Sequence, residues 1–67
     1  MEIIKKIGGY KKAVEVLIAG GWKVKQPYGL LVLQCHRKNL SKEASLILWD
    51  YCLKNNIPVS INDFKEQ

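Results

Sequence analysis

A chain of 67 residues makes a single domain near the lower size limit for folding alone, and its 48% apolar content argues against disorder. No apolar run approaches the ~20 residues a membrane-spanning helix needs, and the opening Met-Glu-Ile-Ile-Lys-Lys lacks the order of a signal peptide, so a cytoplasmic protein is expected. The net charge of +5 is unevenly placed: residues 1–38 carry eight Lys/Arg against Glu2 and Glu15, whereas residues 39–67 carry three Lys against four acids. That asymmetry suits a polyanion-binding face in the first half more than an evenly solvated surface.

Taken in order, EIIKKIGG reads as a short helix with Ile3, Ile4 and Ile7 on one face, stopped at Gly8. YKKAVEVLIAG reads as a second helix, with Tyr10, Ala13, Val14 and Leu17 in an apolar stripe that Val16 and Ile18 widen, and with Lys11, Lys12 and Glu15 facing water. Gly20-Gly21 stops it. Two readings fit the next stretch. With period two, residues 22–35 form a short β-hairpin, turning at Pro27-Tyr28-Gly29 into a strand LLVLQC. Read helically, Gln26 and Pro27 open a third helix, because proline is tolerated in a first turn where its missing donor costs nothing. That helix would finish among His36, Arg37 and Lys38, cations that suit a C-terminal dipole.

Ser41 is a good N-cap for the fourth helix, KEASLILWDYCLKNN, and Glu43 complements its first turn. Its apolar residues make two neighbouring faces: Ala44, Leu48, Tyr51 and Cys52 on one, Leu46, Trp49 and Leu53 on the other. After Asn55-Asn56, the segment IPVSINDFKEQ gives an extended link and a final turn capped through the Ser60-x-x-Asp63 spacing. The fold expected is mainly α, a compact bundle of four to five short helices.

Little in the chain points to catalysis. His36 is the sole histidine, and the neighbouring Cys35 points elsewhere on a helix or a strand. Cys35, His36 and Cys52 match no metal-binding spacing, and no phosphate-cradling glycine-lysine loop occurs, so neither an enzyme nor a cofactor nor a metal site is expected. Both cysteines are expected to be buried thiols. The aromatics are spread along the chain, which favours core packing for Trp49, Tyr51 and Phe64 and leaves Tyr28 open for contact with a ligand.

IIKKIGGYKKAVEVL resembles the opening of small Cro-like and YdaS-like phage and prophage regulators, where a helix ends at Gly-Gly and an alanine-containing helix begins the helix-turn-helix. VKQP, at Val24–Pro27, looks like that family's turn into its recognition helix, and LSKEASLILWDYCLKNNIPVSINDF is similar to its closing helix and final turn. The stretch from Leu17 to Val24 is longer than the family's tight turn, and the family's late recognition-helix tryptophan is absent. The resemblance implies a transcriptional regulator that binds double-stranded DNA and represses by occupancy. Lys25, Gln26, Tyr28 and Gln34 are then expected at base edges, with Lys11, Lys12, Lys23, Arg37 and Lys38 on the phosphates. Leu46, Trp49 and Leu53 are expected to form the interface of a weak homodimer reading a palindromic site. The alternative from another class is a small protein-binding module, such as a phage-encoded inhibitor or antirepressor, acting through the surface around Trp49; an RNA-binding accessory protein is the third reading.

Overall fold

The structure, a computed structural model, describes residues 2–64, so the last residues of the expected closing turn lie outside it. Four α-helices follow one another: α1 (Glu2–Ile7), α2 (Tyr10–Ala19), α3 (Pro27–His36) and α4 (Lys42–Lys54), with a closing 3₁₀ turn at Ile61–Phe64. Residues 27–36 are helical, and the β-hairpin reading of residues 22–35 is therefore overturned. Pro27 takes the first helical position, where its fixed φ suits the helix and no hydrogen bond is lost.

One core joins all four helices. Ile3, Ile4 and Ile7 of α1 meet Ala13, Val16 and Leu17 of α2, Leu31 and Cys35 of α3, and Ala44, Leu48 and Cys52 of α4. Both cysteines are buried, and burial pushes the Cys52 thiol above its ordinary pKa. Ile18 departs from the expectation: it lies on the solvent side of α2, 54% exposed, because the core needs only the Ala13–Val16–Leu17 face.

Each glycine of the Gly20-Gly21 pair has its own reason. Gly21 adopts φ +95°, and the N–H groups of Gly21 and Trp22 return to the carbonyls of Ile18 and Leu17 at 3.0 and 2.9 Å. This is a Schellman ending, and it turns Trp22 inward onto Leu17 so that the tryptophan joins the core. Gly20 is instead a packing requirement, since a Cβ there would run into Ile47 Cγ2 of α4. The same paired return bonds close α3 with Lys38 at φ 56° and α4 with Asn56 at φ 57°.

Two polar devices fasten the bundle. Ser41 caps α4 by accepting from Ala44 N at 3.2 Å, while its own N–H donates to Gln34 Oε1 at 2.9 Å, which ties α3 to the start of α4. Lys6 Nζ donates to Asp63 Oδ2 and to the Pro58 carbonyl, each at 2.9 Å, clasping the closing segment to α1. Asp63 also accepts from Ser60 N at 2.8 Å, the half of the expected cap made by the acid. These bonds hold the nearly buried Asp63 carboxyl below the usual carboxylate range, the Lys6 bond most of all.

Candidate nucleic-acid interface

The helix ends divide into two kinds. α1 and α4 follow the dipole rule, with Glu2 and Glu43 in their first turns and Lys5, Lys6 and Lys54 in their last turns. α2 and α3 depart from it at their starts, although α3 keeps His36 in its last turn. Neither has an acid in its first turn or a side-chain cap, although each begins with backbone donors that no turn of its own helix can satisfy. The first intrahelical bonds run from Ala13 to Gly9 and from Leu30 to Gln26, so the N–H groups of Tyr10, Lys11 and Lys12 on α2, and of Tyr28 and Gly29 on α3, have no acceptor within their own helix. Lys11 and Lys12 sit in the first turn of α2, where a cation opposes the dipole by about 0.3–1 kcal/mol each. Lys23 and Lys25 lead into α3, and all four lysines are exposed.

Tyr10 and Tyr28 bring these two starts together. They occupy the first helical turns of α2 and α3, and their rings lie 6.2 Å apart at a 59° tilt. One end of the molecule thus gathers two uncapped helix starts and a set of lysines. Such an arrangement favours a polyanion, since phosphate oxygens accept from helix N-termini and lysines alike.

Along α3, Gln26, Gly29 and Leu33 follow one another at helical spacing on an exposed stripe that ends at Arg37. Beside this stripe lies an open groove of ≈ 620 Å³ lined by Val24, Lys25, Gln26, Gly29, Leu30 and Leu33. The ten residues of α3 span about 15 Å, so Lys25 at one end and Arg37 and Lys38 past the other bracket an apolar middle.

The expected contact residues therefore separate by position. Lys25 and Gln26 lie on the groove rim, and Tyr28 is 54% exposed beside Tyr10. Gln34 is different. It is half-buried, and its amide oxygen is committed to Ser41 N, so it lacks the free oxygen–nitrogen pair that a bidentate adenine contact requires. We assign it to positioning α4. Lys11, Lys12 and Lys23 belong to the lysine-rich end, and Arg37 and Lys38 stand at the opposite end of α3. Lys38 keeps a left-handed backbone more commonly given to glycine or asparagine. Gly29 and Leu33, which the sequence did not single out, line the groove as well.

On α4, Leu46 and Leu53 are each 61% exposed, while Trp49 is half-buried and stacks on Phe64 with ring centroids 5.5 Å apart. A second groove of ≈ 580 Å³ lies between α2 and α4, its lining combining the apolar Val16, Ala19 and Ile47 with the charged Lys12, Glu15, Asp50 and Lys54. Among the described residues no helix is long and apolar enough to cross a membrane.

No family model, curated protein or solved structure matches this chain.

Proposed function

We propose that the protein is a double-stranded DNA-binding transcriptional regulator, a repressor of phage or prophage type that acts in the cytoplasm by occupying its operator. The observation that carries this reading is the meeting of two uncapped, lysine-flanked helix starts at Tyr10 and Tyr28. In this reading α2 and α3 are the helix-turn-helix pair, joined by the longer connection of residues 20–26, and α3 enters the major groove. Lys11, Lys12, Lys23, Arg37 and Lys38 hold phosphates, while Lys25, Gln26 and Tyr28 lie nearest the bases. The resemblance of the chain to Cro-like and YdaS-like regulators supports the same assignment.

The test is selection from a random duplex library, followed by salt titration of the winning site. Binding should weaken steeply with salt, with a slope of about 0.9 per phosphate contact. A salt-independent affinity, or no enriched sequence, would remove the reading. The exposed Leu46 and Leu53 favour a second element, a weak two-fold homodimer tightened by DNA, with Trp49 contributing its uncovered edge. Sedimentation at high micromolar concentration, with and without duplex, tests it; a strict monomer in both refutes it. The same leucines would serve a protein-binding module, for which salt would have little effect on affinity.

A further inference from the structure

We infer that the middle of α3 reads thymine methyl groups, so that the preferred duplex carries thymine at the step facing Gly29 and Leu33. This inference rests on the DNA-binding reading above and names the bases it would select. Leu33 is 43% exposed at the centre of the outward stripe, and Gly29, one turn earlier, adds no side chain above the groove floor. Leu30 and Leu33 give the groove an apolar wall, and the Gln26 amide oxygen lies 3.8 Å from where a side chain at Gly29 would begin. The side-chain polar groups of the lining belong to Lys25 and Gln26.

The chemistry of that surface selects its occupant. In the major groove, guanine shows two acceptors and cytosine an amino donor, and an apolar wall can satisfy neither. Thymine shows a 5-methyl group, the one apolar feature that a base edge presents there. Gln26, at the helix start, has both an amide oxygen and an amide nitrogen, the pair that matches adenine N6 and N7. A methyl-accepting wall beside an adenine-matching amide makes A·T steps the preferred substrate. The basic residues at both ends of α3 argue for a polyanion over an apolar peptide, since no acidic residue lines this groove.

The experiment uses the duplex selected as above. Each thymine of the site is replaced in turn by deoxyuridine, which removes the methyl and keeps the Watson–Crick pairing; thymines outside the site serve as controls. One or two replacements should weaken binding by about fourfold each, the effect of withdrawing one buried methyl. The Leu33→Ala variant, altered at an exposed position and verified as folded by circular dichroism, should bind the thymine and deoxyuridine duplexes equally. If the wild type binds a specific duplex with the expected salt dependence and yet ignores every replacement, the methyl-reading inference falls and the DNA-binding reading stands. An equal deoxyuridine penalty in wild type and Leu33→Ala would also overturn it, by placing the methyl elsewhere. Failure to bind any duplex at low salt overturns both.

Discussion

Replacing Lys11 and Lys12 together by glutamine should move stability and binding in opposite directions. Both lysines occupy the first turn of α2, where three backbone N–H groups lack an intrahelical acceptor and neither an acid nor a side-chain cap meets them. A cation there works against the helix dipole by about 0.3–1 kcal/mol, and the two together by about 1 kcal/mol once mutual screening is allowed for. Glutamine keeps most of the length and helix propensity of lysine, so the change removes charge with little else. For a domain of this size, about 1 kcal/mol corresponds to a rise of about 4–8 °C in Tm, measured by circular dichroism at low salt. The gain should shrink as salt is added. Duplex affinity should fall, and its salt slope should flatten by about 1.8 if each lysine holds one phosphate. A Tm that falls or stays level would refute the dipole argument. A higher Tm with unchanged affinity and slope would keep that argument and take this end of the molecule out of the DNA interface.

Gln34→Ala should lower stability by about 1 kcal/mol in chemical denaturation, through loss of the acceptor for Ser41 N, and should leave sequence preference unaltered. Gln26→Ala should instead change preference while the fold keeps its stability. Lys38→Gly relieves the φ 56° backbone and should stabilise the fold by about 1 kcal/mol while weakening duplex binding, as read by parallel melting and titration. Asp63→Asn should cost about 1–2 kcal/mol at neutral pH, because the Lys6 clasp loses its charge partner. The folded pKa of Asp63 is depressed, so its contribution is present above the unfolded value of about 3.9 and is lost as pH falls through the folded value. The variant should therefore lose less stability than the wild type between pH 5 and strongly acidic solution; identical acid unfolding of the two would contradict the clasp.

How much of this was legible in the sequence depended on how local each cause was. The Ser41 cap and the stop at Gly20-Gly21 each act within about one helical turn and were readable there, whereas Pro27 fitted both a hairpin turn and the first turn of α3 until the structure showed the helix. The asymmetry of charge was equally plain. Other features come from chain segments that meet only in the folded bundle. Period alone could not tell which side of α3 faces outward, since Leu30, Leu31, Val32 and Leu33 surround the helix with apolar side chains; contact with α2 buries Leu31 and leaves Leu33 in solvent. Nothing near Gly20 announces that α4 will press Ile47 against it, and nothing near Gln34 announces that Ser41 will need its oxygen. Lys6 and Asp63 stand at opposite ends of the chain, and only the docking of the closing turn on α1 makes them a pair. Hydrogen-bonding and dihedral preferences along the backbone determine where these helices begin and stop. Which side chains remain free to meet another molecule is decided by steric fit between helices distant in sequence, and that fit exists only in the packed bundle.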